Sequence, residues 1–461
     1  MGFPFRFAST ILPVVILVIV IAVIVALVRR RSGGEEEEPG IGTLKRLYYY
    51  GLSFVALMVA ASGIVLLVDY IADRLYPSEI VRQGGTQAAL AVALTVVATP
   101  IWFLHWRMAQ RSVQEFPAES RAFARRVYLY SVLGVSAVLT ASGIAWLLGW
   151  LLGAESFNGL QVAFPVIWGG IWGLHWWVQS VDAVPQAVGD SVRRLYVYGT
   201  SVFSLSMLVV GIGVVLAQLL GEAYDTLFGT ELLPAAGTSL WRDSTRIAVA
   251  IALVGGGFWW WHWHRIAPGD IGSALRSAYL YLFAILGGAA TVVVCFSVLL
   301  YTVLQWLMGS PEVAGAAAHF RVLPGLISAL AVGTGLWGYH WALAQDESRN
   351  AAGRLLATRR VYRYLVAGLG LGTLAVGLVI SVAVVLGLLA PASGQLLRAS
   401  QWWRNPLTLA ITLLVVGTPL WSFYWFGAQR DAKTAPREEG SALSRRVFLY
   451  LVFGIAVLLS L

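Results

Sequence analysis

Cysteine is nearly missing from this chain. Cys295 stands alone in 461 residues, so no internal disulfide and no thiolate metal site can be built. Charge is scarce as well, at 12% of residues against 58% hydrophobic, which excludes an ordinary soluble domain. The long apolar runs carry no charged residue at mid-length, where ion paths and proton relays would need one. Asp69 and Asp73 fall near the end of one run, and Arg242, Asp243 and Arg246 flank the start of another. A phosphate-binding glycine loop, a nucleophile elbow and a His-Glu metal helix are all absent, so nothing points to an enzyme.

What remains is a membrane sequence. Apolar runs of about 18 residues or more, each long enough to cross a hydrocarbon core, recur along the whole length. They fall near 11–28, 47–70, 87–106, 127–152, 160–177, 195–220, 245–264, 277–308, 322–343, 361–389 and 405–427, and a twelfth begins at 447 and is expected to continue beyond Leu461. Most of the 32 Lys and Arg fall in the loops on one side of these runs. That side is expected to be cytoplasmic, which puts the amino terminus outside and the protein in the inner membrane. The net charge of +9 comes from arginines at the membrane surface, so it argues for anionic lipid rather than nucleic acid. The first run is followed, not preceded, by Arg29 to Arg31, and therefore reads as an uncleaved anchor.

Self-similarity organises the rest. A first helix of each pair opens on basic residues and aromatics: "KRLYYYG" at 45, "RRVYLY" at 125, "RRLYVY" at 193, "RSAYLY" at 276, "RRVYRY" at 359 and "RRVFLY" at 445. The second ends in Trp-x-x-His-Trp: Trp102, His105, Trp106; Trp172, His175, Trp176; Trp259, His262, Trp263; Trp337, His340, Trp341. A fifth copy, Trp421, Tyr424, Trp425, has tyrosine in the histidine position. Pro100, Gly170, Gly257, Gly335 and Pro419 stand two residues before the first Trp, and Gln110, Gln345 and Gln429 follow three of the motifs. Glycines on the first helices, Gly63, Gly143, Gly211 with Gly213, and Gly377, would let neighbouring backbones approach closely.

The expected fold is an all-α integral membrane protein, a polytopic bundle of about twelve transmembrane helices built from tandem two-helix repeats in parallel orientation. It divides into an anchor at 1–31, a flexible charged linker at 32–44, repeats at 45–116, 117–186, 187–270, 271–352 and 353–437, and the opening of a sixth at 438–461. The basic opening, the Tyr-x-Tyr pattern and the long aliphatic helix with its partner resemble a family of bacterial two-helix membrane repeats known only as a domain of unknown function, found among filamentous Chloroflexota and their relatives. The resemblance covers about 45–461. It implies a membrane location and a bacterial source, and nothing chemical.

The repeated histidine has two readings. Trp at i, His at i+3 and Trp at i+4 share one helix face near the membrane boundary, where tryptophan concentrates. The first reading is an interfacial belt. Its tryptophans at 102, 106, 172, 176, 259, 263, 337, 341, 421 and 425 and the basic residues Arg125, Arg126, Arg193, Arg194, Arg359, Arg360, Arg445 and Arg446 would contact anionic lipid. The sharper reading is cofactor binding, with His105, His175, His262 and His340 converging on haem b, a bacteriochlorophyll-like pigment or a quinone. The belt is favoured because the fifth copy tolerates tyrosine. His264 and His319 point elsewhere. The Pro or Gly before the motif is read as a packing step, as in Gly255-Gly256-Gly257. Repetition without chemistry leads to the expectation of a non-catalytic scaffold or accessory subunit that meets other membrane subunits and lipid. Transport of lipid or a small apolar molecule is a further alternative.

Overall fold

The computed structural model describes residues 42–76, 85–182, 191–229, 240–311, 315–350, 356–389 and 401–460. All regular structure among them is helical. Among the described residues eleven long helices follow one another: α1 (Thr43–Leu75), α2 (Gly85–Glu115), α3 (Phe123–Leu151), α4 (Leu160–Val181), α5 (Ser191–Phe228), α6 (Asp243–Trp260), α7 (Ala274–Met308), α8 (Leu323–Asn350), α9 (Leu356–Leu389), α10 (Arg404–Thr434) and α11 (Leu443–Ser460). Helix is the form expected of such apolar segments, because each backbone N–H and C=O finds its partner within the segment. Pro100, Pro165 and Pro419 lie inside α2, α4 and α10 without ending them.

Among the described residues, eight helices are long and apolar enough to cross a membrane: α1, α2, α3, α5, α7, α9, α10 and the stretch Ala316–Glu347 that includes most of α8. The expected count of twelve is therefore met only in part. α4, α6 and α11 are helical where spans were expected but do not belong to that set. In α4 the Trp, His and Gly residues of the motif dilute the apolar content, and α6 opens on the polar run Asp243 to Arg246 and passes into a π-helical turn over Trp261–Ile266. The span at 11–28, the anchor and most of the linker lie outside the described residues.

The chain forms two compact units, one drawn from 1–212 and 241–270, the other from 213–240 and 271–461. In the first unit α1 packs on α2, α3 on α4, and α3 also on α6, while α1 meets α3 and α4. In the second, α7 packs on α8, α9 on α10, α10 also on α7, and α11 on α9. Each odd-numbered helix is thus paired with the even-numbered helix that follows it, and α11 is the last helix described.

Close approach within the pairs depends on glycine. A Cβ at Gly63 would lie 2.7 Å from Thr95 Oγ1 of α2, and one at Gly211 would lie 2.6 Å from the Ala252 nitrogen of α6. Gly143 and Gly377 meet α4 and α10 in the same way, as expected from the sequence, and all four stand fifteen residues after the first tyrosine of their helix. Gly213 does not: it has open space around it. The packing step expected at Gly255-Gly256-Gly257 holds at Gly255 and Gly256 and fails at its last position. A side chain at Gly170, Gly257 or Gly335 would meet nothing, whereas Gly255, Gly333 and Gly417, seven residues before the histidine or tyrosine, press on the preceding helix. α3 ends where Gly153, at φ +78°, adopts a left-handed conformation, and the bonds Gly153 N–H to Trp150 O and Ala154 N–H to Gly149 O close its last turn.

Candidate functional site

Tyrosine and histidine meet inside each helix pair. The first tyrosine of the basic-aromatic opening reaches the motif histidine of the helix that follows: Tyr48 Oη to His105 Nε2 at 3.2 Å, Tyr128 to His175 at 3.1 Å, Tyr196 to His262 at 2.9 Å, and Tyr279 to His340 at 3.4 Å. In the fifth pair Tyr362 and Tyr424 bond hydroxyl to hydroxyl at 3.0 Å. The other imidazole nitrogen is engaged too. Nδ1 of each histidine lies 2.7 to 2.9 Å from the carbonyl oxygen four residues earlier, at Ile101, Ile171, Phe258 and Leu336.

The direction of these bonds follows from groups that can only give or only take. A carbonyl accepts, so Nδ1 carries the proton, and in a neutral ring Nε2 then accepts from the tyrosine O–H. Indole N–H only donates, and at two junctions it donates to that same tyrosine oxygen: Trp102 to Tyr128 at 3.4 Å and Trp172 to Tyr196 at 3.2 Å. The path runs from the tryptophan of one hairpin to the tyrosine and histidine of the next, and ends on a backbone carbonyl. Every polar atom along it is satisfied with no net charge, as a buried site requires. His175 and His262 are fully buried, and His340 nearly so.

Three of the four histidines lie inside the protein, and His105 is half-buried. As a ligand a histidine would have to give up its tyrosine bond, because the lone pair an iron or magnesium would take is already directed at a hydroxyl. The four rings are also not brought together, each lying in its own helix pair. Among the described residues no group of three or more His, Cys, Asp or Glu could hold a metal ion.

The motif tryptophans turn inward in the same manner. Trp106 lies 5.1 Å from the Tyr128 ring, Trp341 6.3 Å from Tyr362, and Trp425 5.6 Å from Phe448, each on the opening aromatic of the next helix pair. Trp263 is buried against Tyr198, Trp172 stacks on Phe258, and Trp176 meets Trp261. Trp259 stands edge-on to His264, and Trp421 packs on Phe426. Trp337 keeps its indole N–H buried without a hydrogen-bond partner. The exposed rings are instead residues between or beside the motif positions: Phe103, Trp177, Trp260, Trp261, Tyr339 and Phe423.

The second tyrosine of four openings completes the junction, while that of the third, Tyr198, packs on Trp263 and bonds Asp270 of its own hairpin. Tyr50 packs on Tyr128, Tyr130 on Tyr196, Tyr281 on Tyr362 and Tyr364 on Phe448, with ring centroids 5.3 to 6.1 Å apart. Two of the glutamines after the motif belong here as well: Gln110 accepts from Arg125 at 3.2 Å and Gln429 from Arg445 at 2.8 Å, each arginine opening the next helix pair.

A row of ion pairs lies at the same end of the helices, and the sequence pattern did not disclose it. Arg46 forks onto Glu119, Arg125 onto Asp182, and Arg276 onto Glu347, all three arginines buried or nearly so. Arg194 pairs with Asp270, Arg360 with Glu439, and Arg363 with Asp431. Arg125, Arg194 and Arg360 were expected at lipid, and here they bond carboxylates, the first two within their own hairpin and Arg360 just beyond it. Arg193 reaches the Ile266 carbonyl, Arg446 the Ser441 carbonyl, and Arg126 and Arg359 are half-buried. Among the described residues, these pairs use the second basic residue of the first, third and fifth openings (Arg46, Arg194, Arg360), the first of the second (Arg125), and the one basic residue of the fourth (Arg276).

A groove of about 300 Å³ lies within the first unit between α3, α4 and α6, lined by Ile144, Trp172, Val254, Gly257, Phe258 and Trp261. No charged residue lines it.

Comparison with known proteins agrees with this periodicity. The family described as Domain of unknown function (DUF5671) matches three times, over residues 46–160, 216–326 and 360–461. Two of the matches start at a paired arginine, Arg46 and Arg360, and each extends over more than one hairpin. No curated protein and no solved structure matches the chain. With most of its length matched, the chain belongs to the DUF5671 family.

Proposed function

We propose that this chain is a polytopic protein of the bacterial inner membrane, with about twelve spans in tandem hairpins of one orientation, and that it works as a non-catalytic scaffold or accessory subunit of a larger membrane complex. The observation that carries this reading is that the side chains able to do chemistry are committed to one another. Each buried histidine has both nitrogens bonded, the arginines of the openings face carboxylates or carbonyls, and the tyrosine hydroxyls join neighbouring hairpins. Such networks hold a structure in one arrangement and leave no group poised toward a substrate. The arginine-bearing ends would face the cytoplasm with the amino terminus outside, and the exposed rings Trp177, Trp260 and Trp261, with Arg265 over Trp260 at 5.2 Å, would sit among lipid headgroups. Gentle extraction from native membranes should bring other subunits with it; a protein that purifies alone at full yield would remove the basis of the reading. An absorption spectrum before and after dithionite should show no haem or chlorophyll band.

A second reading, binding of a lipid chain or another small apolar molecule, has the α3–α4–α6 groove in its favour. A side chain at Gly257 would project into open space there. Gly257→Leu should therefore abolish binding of a fluorescent lipid to the purified protein, and unchanged binding would exclude the groove.

A further inference from the structure

Electron exchange, unlike binding, needs no free side chain, because it runs through rings in contact and along hydrogen bonds already made. The second and third hairpins share such a path, all of it within the first compact unit. Trp261, 40% exposed, meets Trp176 with ring centroids 6.5 Å apart, and Trp176 meets Trp172 at 6.3 Å. The Trp172 indole N–H donates to the Tyr196 oxygen at 3.2 Å, and the Tyr196 O–H donates to His262 Nε2 at 2.9 Å. One end of the path is open and the other sealed, since Tyr196 and His262 are buried.

Indole and phenol are among the side chains that give up one electron most readily, but a phenol does so with ease only when its proton has somewhere to go. At Tyr196 it has. Nε2 of His262 lies within reach for proton transfer along a bond already formed. The Phe258 carbonyl, 2.8 Å from Nδ1, accepts from the imidazolium that results, and the Trp172 N–H stays on the phenoxyl oxygen. The fifth pair lacks the base, because Tyr362 faces the Tyr424 hydroxyl instead.

We propose that Tyr196 and His262 quench oxidising radicals of the surrounding lipid, with Trp172, Trp176 and Trp261 carrying the electron outward. A lipid alkoxyl radical takes one electron from Trp261 and one proton from water, and becomes an alcohol with release of hydroxide. Trp261 is refilled from Trp176, Trp172 and finally Tyr196, whose O–H bond breaks as its proton passes to Nε2 of His262. The sum is one alkoxyl radical, one water, one phenol and one imidazole giving an alcohol, a hydroxide, a phenoxyl radical and an imidazolium, with no net charge gained. This activity goes beyond the scaffold reading and does not need it.

The test uses full-length protein in phosphatidylcholine vesicles that carry a phospholipid hydroperoxide, which ferrous iron splits to the alkoxyl radical. Samples frozen at intervals are read by electron paramagnetic resonance. A phenoxyl signal should form, narrow on ring-deuterated tyrosine, and be lost in Tyr196→Phe. Trp261→Phe changes an exposed ring and should slow the signal while circular dichroism stays unchanged. The amide of His262→Gln accepts a hydrogen bond but no proton, and should slow radical formation about 100-fold. Tyr362→Phe should leave the signal as it is. The proposal is overturned by no phenoxyl signal, by an equal signal in Tyr196→Phe, by loss of the signal in Tyr362→Phe, or by unchanged rates in Trp261→Phe and His262→Gln. Co-purification of other subunits bears on none of these results, so the scaffold reading stands or falls separately.

Discussion

Tyr48 with His105 and Tyr128 with His175 make the same bond, at 3.2 and 3.1 Å, yet one tyrosine is 55% exposed and the other 3%. The bond itself is therefore local to a hairpin, and its burial is conferred by the neighbour. Around Tyr128 the neighbour supplies Tyr50, Trp102 and Trp106, and beside it Arg125 sits over the Trp106 ring while bonding Gln110 and Asp182. Around Tyr48, among the described residues, Tyr49 and His105 are in ring contact. One motif thus has two energetic weights, and substitutions in matched positions of the two hairpins separate them.

The largest difference is expected at the opening basic residue. Arg125→Leu leaves Asp182 partly buried without its partner and should cost about 3–5 kcal/mol, whereas Lys45→Leu, at the exposed equivalent, should stay within about 0.5 kcal/mol. Reversible unfolding in mixed detergent micelles measures both. Next come the histidines. His175→Leu strands the buried Tyr128 hydroxyl and should cost about 2–3 kcal/mol. His105→Leu leaves a hydroxyl that water can reach, at a cost below about 1 kcal/mol. Equal losses would show that the first hairpin is covered in the membrane. Tyr128→Phe removes an acceptor from Trp102 and a donor from His175 and should cost about 1–2 kcal/mol, with Tyr48→Phe near zero by the same assay. Smallest is His175→Tyr, which rebuilds the Tyr362–Tyr424 arrangement and should stay within about 1 kcal/mol, with near-ultraviolet circular dichroism retained.

Much of this was legible beforehand, for physical reasons that can be named. Apolar runs dictate helices, and the opening and closing motifs locate the ends of each pair, so the described helices fall where the runs predicted them. The fifteen-residue step from tyrosine to packing glycine is local to one helix and could be read there. The partner of the histidine could not. Tyr128 is 47 residues from His175, and a histidine near a helix end looks the same in sequence whether the adjacent face meets lipid or another helix. The carboxylates were hidden for another reason. Asp182, Glu347 and Asp431 follow the motif histidine or tyrosine by seven residues, but Asp270 follows by eight, and Glu119 by fourteen, beyond a turn, so the spacing marks only part of the row. The choice between first and second arginine compounds this, since it differs between openings. Gly257 and Gly335 misled because glycine at a motif position was taken as a contact, when the contact glycine lies two residues earlier.

The tyrosine hydroxyl has one further consequence. At Tyr128 and Tyr196 it takes a proton donor from the hairpin before and gives its own to the hairpin it belongs to, so each link joins immediate neighbours and nothing more distant. A gene segment of whole hairpins can then be duplicated or lost with these tyrosine links still matched, while a cut through a hairpin orphans two links at once. Length in such a protein can change by copying, without redesign of these links.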